Sequence, residues 1–251
     1  MSPRILVIGG ALAAVVGTAC VKISDNSDAV LSLEFDPLSS PSVVVGDSLR
    51  DTTGTLAAPT VRAFNYRGEE IVSPPIRFHA PDPGISIDSI TGVISGDSLR
   101  TTPVRVVASV GSLQALQLLD ITLRPDAVSA LDGRDTLQYS LLDSTVNVSE
   151  ALTVKLIHGQ PTLDSAVRSY VISFAIVSGG DPLRAELVNG GRISTIDTTD
   201  ASGVAGRTVK IRPLYLSGGV DSVIVNATVK YRGLPISGSP VRLVLVLTPP
   251  D

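Results

Sequence analysis

The chain of 251 residues has no tryptophan, only four phenylalanines and five tyrosines, two histidines, and a single cysteine, Cys20. So few aromatic rings argue against glycan platforms built from stacked aromatics and against aromatic hot spots at interfaces. Two histidines, His79 and His158, are too few for a histidine metal site, and we expect no metal or cofactor. The net charge is −4, and the sequence has no stripe of basic residues that could bind phosphates. We therefore expect no nucleic-acid partner.

The chain is instead rich in valine, leucine, isoleucine, serine, threonine, glycine and proline, a composition typical of short strands joined by turns. In Val223–Arg232 (VIVNATVKYR), apolar and polar residues alternate with a period of two. Val104–Val110 and Val241–Thr248 are more continuously apolar, which predicts strands near the centre of a sheet. No long segment has an amphipathic helical stripe. We therefore predict an all-β chain.

The strand candidates fall into two groups, separated by Arg124–Val128 (RPDAV), where Pro125 and Asp126 interrupt an apolar run. We predict two tandem immunoglobulin-like β-sandwiches, the first module at 29–124 and the second module at 127–249. In the first module the predicted strands are Ala29–Phe35, Thr60–Tyr66, Pro75–His79, Ser86–Asp88, Gly92–Ile94, Val104–Val110 and Gln114–Leu123. In the second they are Asp135–Leu142, Ala151–His158, Val167–Val177, Ala185–Leu187, Arg192–Ile196, Gly206–Ile211, Val223–Arg232 and Val241–Thr248.

The N-terminal stretch reads MSPRILVIGGALAAVVGTAC, with Arg4 ahead of an apolar run, Ile5–Val16, and small residues before Cys20. The run is too short for a permanent membrane-spanning helix, and its layout is typical of a secretory signal. The stretch resembles a bacterial lipoprotein signal peptide, although Gly17 stands where that motif usually has Leu, Val or Ile. The resemblance implies cleavage after Ala19, lipidation of Cys20, and hence attachment of the protein to a membrane.

On this interpretation residues 1–19 are a signal peptide and residues 20–28 a lipidated tether, whose polar sequence KISDNSD is typical of a short linker. Val21 follows the cysteine where an aspartate would be a retention signal. In a cell with two membranes this pattern favours the outer one. Two alternatives remain: an ordinary signal peptide cut near Ala19, or a lone buried cysteine.

Several turn motifs resemble those of bacterial immunoglobulin-like domains. The first module is similar to the group 2 type through Pro41–Asp47 (PSVVVGD), Val61–Gly68 (VRAFNYRG) and Ile87–Gly96 (IDSITGVISG), followed by VRVVASVG from Val104. The second module is similar to the group 1 type of intimin- and invasin-like surface proteins. Its matching residues are Val171–Gly180 (VISFAIVSGG), Leu187–Ile193 (LVNGGRI) and Thr199–Ala205 (TDASGVA). The resemblance implies an extracytoplasmic spacer or adhesion module, commonly without catalytic residues.

The tetrapeptide Gly-Asp-Ser-Leu occurs twice, at Gly46–Leu49 and Gly96–Leu99. It resembles the nucleophile motif of the serine esterases named after it, in which an Asp-x-x-His motif supplies the base that a serine needs. Neither histidine of this chain has an aspartate at that spacing. We interpret both tetrapeptides as turns, and we expect no enzymatic activity and no catalytic residues.

Other polar groups are weighed in the same way. A calcium site and a charged partner surface are both possible, but solvated turn acids and scattered surface charges are the simpler interpretation. The sequons beginning at Asn147 and Asn226 matter only in a glycosylating secretory pathway. The acids considered for calcium are Asp197 and Asp200 with Thr199, and Asp25 with Asp28; the surface charges are Asp164, Arg168, Arg184 and Arg192.

The sequence therefore predicts a lipid-anchored protein of the bacterial cell envelope, acting as a non-catalytic spacer, adhesion or assembly module. A protein or glycan partner at the envelope is expected without being identified. The first alternative is a secreted β-sandwich that binds a polysaccharide or a peptide, for which an exposed aromatic groove would be evidence. The remote alternative is a serine esterase that uses Ser48 or Ser98.

Overall fold

The computed structural model describes residues 29–159, 165–178, 184–213 and 221–249. The predicted signal peptide and the tether with Cys20 lie outside these residues. Within them the regular secondary structure is β apart from 3₁₀ turns, of which Ser144–Val146 lies wholly in the described residues. No helix in the described ranges is long and apolar enough to cross a bilayer.

The first module is a sandwich of short strands. A four-stranded sheet has the order β2-β8-β7-β4, and the pairs β1–β3 and β5–β6 complete the module. Strand β2 runs parallel to β8, the last strand of the module. The strands are β1 (Ser32–Phe35), β2 (Ser42–Val44), β3 (Val61–Phe64), β4 (Arg77–His79), β5 (Ile85–Ile87), β6 (Ile94–Gly96), β7 (Val104–Val110) and β8 (Leu113–Thr122).

The second module has longer strands in two sheets. One sheet has the order β10-β21-β18-β13-β16, and the other has the order β12-β11-β17-β14-β15 with β9 also paired to β11. The strands are β9 (Ala127–Asp132), β10 (Arg134–Gln138), β11 (Leu152–His158), β12 (Ser165–Ala166), β13 (Val171–Ser178), β14 (Ala185–Asn189), β15 (Arg192–Ile193), β16 (Ile196–Thr198), β17 (Val204–Ile211), β18 (Asp221–Thr228) and β21 (Val241–Thr248). A small hairpin is formed by β19 (Lys230–Tyr231) and β20 (Leu234–Pro235).

The two modules share one topological feature. In the second module, as in the first, a strand near the start of the module runs parallel to its last strand, here β10 beside β21. Every other pair of named strands is antiparallel. Antiparallel sheets packed face to face, with the first strand shared between them, make an immunoglobulin-like sandwich. The predicted fold class is confirmed.

Each module has its own apolar cluster, and the clusters lie on either side of the predicted boundary. In β21 the alternation is regular: Val241, Leu243, Leu245 and Leu247 are buried, while the residues between them are partly or fully exposed. This is the period-two pattern of a strand with one face against a core. Leu123 directly follows β8 but packs against the cluster of the second module.

Two predicted strands are divided in the structure. Val223–Arg232 ends as a strand at Thr228, because the Val229 amide donates to Ser239 Oγ at 2.9 Å and the chain then turns into the β19–β20 hairpin. Arg192–Ile196 is split into β15 and β16, which belong to different sheets. Arg207 fixes that crossing, since its buried guanidinium bonds the Ser194 and Ile196 carbonyls and pairs with Asp197 at 2.8 Å.

Candidate functional site at the junction of the modules

The two Gly-Asp-Ser-Leu-Arg segments pack against each other at one end of the first module. The Gly46 amide donates to the Gly96 carbonyl at 2.8 Å, and the Gly96 amide donates to the Asp47 carbonyl at 3.0 Å. The hydroxyls of Ser48 and Ser95 lie 3.2 Å apart. A Cβ on Gly96 would lie 2.7 Å from the Val44 carbonyl oxygen, so the close approach of the two segments requires glycine there.

Asp47 is the centre of this end of the module, and its side chain is only 4% exposed. Arg50 contacts it with two nitrogens, Nε to Oδ2 and Nη2 to Oδ1, each at 3.1 Å. The Ser48 amide donates to Oδ1 at 2.8 Å. From the second module, Arg232 Nε donates to Oδ2 at 2.8 Å. One buried carboxylate is therefore shared by an arginine of each module.

The environment of Asp47 keeps it ionised. Burial by itself would raise the pKa of the carboxyl, but hydrogen bonds from Arg232, Arg50, the Ser48 amide and Tyr231 outweigh it and hold the pKa well below its usual range. The same carboxylate raises the pKa of the Arg232 guanidinium. Both partners therefore stay charged across the physiological pH range.

Arg232 reaches Asp47 from the tip of the β19–β20 hairpin. Arg232 and Gly233 have φ angles of 51° and 80°, and two positive φ values at the centre of a two-residue hairpin loop define a type I′ turn. A left-handed backbone costs a residue with a side chain about 1 kcal/mol. Arg232 thus has an unfavourable backbone conformation and, in that conformation, its guanidinium contacts the buried carboxylate of Asp47.

The backbones of the two modules also touch. Gly54 has a φ of 92°, and a Cβ on it would lie 2.0 Å from the Gly233 nitrogen and 2.5 Å from the Arg232 carbonyl carbon. The turn at Gly54 is fixed by Asp51, whose Oδ1 accepts from the amides of Thr53 and Thr55 at 2.9 Å each. Glycine at this position lets the turn lie directly on the hairpin.

A second set of contacts fastens the modules through the residues before β13. Ser42 Oγ donates to the Ser169 carbonyl at 2.6 Å, and Ser169 Oγ donates to Asp120 Oδ2 at 2.7 Å. Arg168 donates to the carbonyls of Arg100 and Thr101, the latter at 2.7 Å. Ser169 has a φ of 53°, so a second unfavourable backbone conformation also lies at the junction.

The linker between the modules is itself bonded to the second module. The Asp126 amide donates to the Ile157 carbonyl, and Asp126 Oδ2 accepts from the Gly159 amide, both at 2.9 Å. Asp126 pairs with Arg124 at 2.8 Å, and His158 Nδ1 lies 2.7 Å from the same carboxylate. With Leu123 packed against the second core, the linker has few free rotations.

Two concavities flank these contacts. One has a volume of about 320 Å³ and lies between the Asp47 segment, the start of β13 and the hairpin; Arg50, Tyr170, Lys230 and Tyr231 are among its lining residues. The other, on the side of β16, has a volume of about 560 Å³ and is lined mainly by apolar residues, including Pro37, Leu118 and Ile196.

The remaining residues considered from sequence lie apart from one another. His79 is on β4 and His158 is beside the linker, and Ser48 and Ser98 have no hydrogen bond to a histidine within the described ranges. The acids near Thr199 are engaged in turn and sheet contacts: Asp200 accepts from the amides of Ser202 and Val204, and Asp197 pairs with Arg207. No group of three potential metal ligands occurs in the described part of the chain.

The charged surface residues separate as well. Arg168 belongs to the junction, Arg192 is exposed on β15, Arg184 is partly buried before β14, and Asp164 lies outside the described residues. Asn147 is fully buried and bonded to Ser140, so its sequon is inaccessible in the folded chain. Asp47, Arg232 and Gly54 were not among the expected site residues. The repeated GDSLR sequence was the one signal for this end of the first module.

The chain matches no protein-family model, and no curated protein is similar to it. Among solved structures, it resembles domains 4 and 5 of the S-layer protein SbsC, with 10% identity over 88% of this chain and 97% of that one, and a TM-score of 0.33. It also resembles the adhesin InvE of Yersinia pseudotuberculosis, with 10% identity over 86% of this chain and 58% of that one, and a TM-score of 0.36. Human protocadherin-24 EC1-2 has 12% identity over 89% of this chain and 100% of that one, and a TM-score of 0.27. These values are too low to support a conclusion about this chain, whose fold rests on its own strand order.

Proposed function

We propose that the protein is a lipid-anchored, non-catalytic spacer of a bacterial cell envelope, and that its two sandwiches act as one stiff arm. The observation that carries this proposal is the ion pair between Asp47 and Arg232. It joins a buried carboxylate of the first module to the hairpin tip of the second at 2.8 Å. If the modules separated, Asp47 would lose the charged hydrogen bond from Arg232 and keep Arg50 as its only arginine partner, so the contact favours one arrangement of the modules.

The second set of contacts supports the same proposal. Tyr231 and Arg232 hold the modules on one side, and Arg168 and Ser169 hold them through a different segment. Two fastenings that do not share a segment resist rotation about a single hinge. The linker with Asp126 and Leu123 adds a third point of attachment. An arm of this kind would project whatever its far end displays at a set distance and angle.

The stiffness can be measured with two spin labels. Cys20 is the only cysteine, so in a Cys20→Ser background labels at Gln114→Cys on β8 and Arg242→Cys on β21 would report on one module each; both positions are exposed. We expect a narrow distribution of distances by double electron–electron resonance. A broad distribution in the parent protein would overturn the proposal.

The informative variant is Arg232→Asn. Asparagine tolerates a positive φ better than other residues with side chains, so the hairpin should keep its turn while the ion pair is lost. The distance distribution should then broaden. Arg134→Asn on the exposed edge of β10 removes an arginine without touching the junction and should leave the distribution unchanged.

The anchor is tested separately, since Cys20 lies outside the described residues. Two acyl chains on one cysteine would hold the arm to a membrane stably, because each buried methylene contributes about 0.8 kcal/mol. Labelled palmitate should appear in the membrane fraction with the parent protein and disappear with Cys20→Ser. Unlabelled, soluble parent protein would leave a secreted two-module chain and remove the anchor from the proposal.

A further inference from the structure

The junction cavity offers more donors than the protein uses. Its lining carries Arg50, Lys230 and Arg232 against Asp47 and Asp51, which leaves one net positive charge. Both carboxylates already accept several hydrogen bonds, Asp47 from the two arginines and Asp51 from its own turn. The Lys230 ammonium has no hydrogen bond or ion pair to any residue in the described ranges. The positive charge that has no carboxylate partner is therefore that of Lys230.

Hydroxyl-bearing residues line the same cavity. Six serine or threonine residues line the cavity. Ser40, Ser42 and Ser48 use their hydroxyls within the protein. The hydroxyls of Thr52, Ser173 and Thr228 make no hydrogen bond to a described residue, and each can both donate and accept. Lys230, Thr52, Ser173 and Thr228 thus line a single cavity, and their side chains have no hydrogen-bond partner among the described residues.

The cavity also has an aromatic wall. Tyr170 and Tyr231 both line it, and Tyr170 is fixed because its hydroxyl donates to the Lys230 carbonyl at 2.7 Å. Burial raises the pKa of both tyrosines, so both hydroxyls stay neutral. Both hydroxyls are used within the protein, Tyr170 on the Lys230 carbonyl and Tyr231 on Asp47, so the two rings supply the cavity with apolar surface. The volume of about 320 Å³ is at the small end of the range for ligand pockets.

We propose that this cavity binds an acidic sugar, a pyranose ring carrying a carboxylate, with the carboxylate near Lys230 and the ring hydroxyls at Thr52, Ser173 and Thr228. A neutral sugar would leave the positive charge unmatched, and a simple anion would leave the hydroxyls and rings unused. The site needs both modules, because its lining comes from both. The inference goes beyond the spacer role and does not depend on the lipid anchor.

The test is isothermal titration calorimetry of the Cys20→Ser protein with sodium glucuronate at physiological ionic strength. We expect saturable one-to-one binding, weaker by about tenfold or more for glucose, because a hydrogen bond to a charged group is worth more than a neutral one. Acetate should bind weakly as well. Absent binding, or equal affinity for glucose or acetate, would overturn the proposal.

The matched variants are Lys230→Gln and Lys210→Gln. Both lysines are exposed on strands of the second module, but only Lys230 lines the cavity. Lys230→Gln should weaken glucuronate binding by about tenfold, and Lys210→Gln should not change it. Equal affinity of Lys230→Gln and the parent would overturn the assignment, provided that circular dichroism shows both variants folded.

This experiment and the spin-label experiment together separate the sugar site from the stiff arm. A narrow distance distribution without glucuronate binding would leave the stiff arm and remove the sugar site. A broad distribution with no glucuronate binding would remove both, because both modules line the cavity.

Discussion

In both modules an early strand runs parallel to the last strand, but the two modules differ in the size of their cores. Eight buried apolar side chains form the cluster of the first module, and twenty-two form that of the second. Strands β4, β5 and β6 have three residues each, whereas β13, β17, β18 and β21 have eight. Since stability follows the apolar area removed from water, the second module should be the stable partner and the first the dependent one.

Because the cores differ in size, the junction should also contribute to the stability of the first module. The first module contributes the buried Asp47 and Arg50, and the second contributes Arg232, the other arginine partner of Asp47. A module with a small core would gain proportionally more from such a contact. The comparison therefore predicts two unfolding events, of which the first module's occurs at the lower temperature and depends on the junction.

The largest effects should come from the cores. Phe174 is 2% exposed in the second cluster, and Leu119 is fully buried in the first. Phe174→Ala should cost about 3–5 kcal/mol and Leu119→Ala about 2–5 kcal/mol. By differential scanning calorimetry, Leu119→Ala should lower only the first transition, and Phe174→Ala the second. A single transition lowered by both variants would contradict the separation of the cores.

The next effect is that of the ion pair inside the second module. The Arg207 side chain is 4% exposed, pairs with Asp197, and lies with its guanidinium 5.9 Å from the centre of the Phe174 ring. Arg207→Gln should cost about 3 kcal/mol, because it leaves carbonyls and a carboxylate without their donor. Arg192→Gln on neighbouring, exposed β15 is the control and should cost less than about 0.5 kcal/mol. Urea denaturation measures both, and similar costs would show that Arg207 does not brace the crossing of β15 and β16.

A smaller effect is expected for crowding the junction. Gly54→Ala places a Cβ 2.0 Å from the Gly233 nitrogen, so the two modules must shift apart, at a cost of about 2 kcal/mol. Gly68→Ala is the control: its φ is 76°, and nothing lies within 4 Å of its Cβ. The control pays only for its backbone conformation, about 1 kcal/mol. Spin-label distances should broaden for Gly54→Ala alone; broadening in both would mean that strain, not contact, matters.

The smallest effect concerns pH. The folded-state pKa of Asp47 is lowered, so its contribution to stability is fully present above the unfolded value of about 3.9 and is lost as the pH falls below it. Asp47→Asn should reduce stability by about 1 kcal/mol at pH 7 and should flatten the acid dependence of the first transition between about pH 5 and pH 2. Asp36→Asn removes a partly exposed pair with Arg62 and serves as the control. Equal acid profiles for Asp47→Asn and the parent would remove Asp47 from the junction's energetics.

The strands that sequence analysis predicts best are those whose burial depends only on local alternation. Val104–Val110 and Val241–Thr248 match β7 and β21 at both ends. Strands that depend on distant partners are harder to predict. Residues Ala127–Asp132 lie beside a proline and alternate poorly, and they become β9 only because β11 offers its edge. The crossing between β15 and β16 depends on Arg207, which comes later in the chain.

Sequence analysis missed the junction because it too depends on residues that are distant in the chain. The Gly-Asp-Ser-Leu pair was interpreted as two turns, and nothing local to Asp47 indicates that an arginine 185 positions later completes its environment. The positive φ of Arg232 also has no sequence signal beyond the glycine that follows it. Composition and periodicity report which face of a strand is buried. They do not report which two surfaces of separate modules will meet.

The parallel pairing of an early strand with the last strand of each module has a consequence for a chain that is pulled at its two ends. In each module the pull passes β1 or β9 before it reaches β2 or β10, and it leaves through the neighbouring β8 or β21, so tension slides these two paired strands along each other. Their hydrogen bonds are then loaded together, whereas a hairpin opened from its free end breaks them one at a time. The second module has five paired positions in this interface and the first has three. Under tension the first module should yield before the second and release its length as an extensible segment.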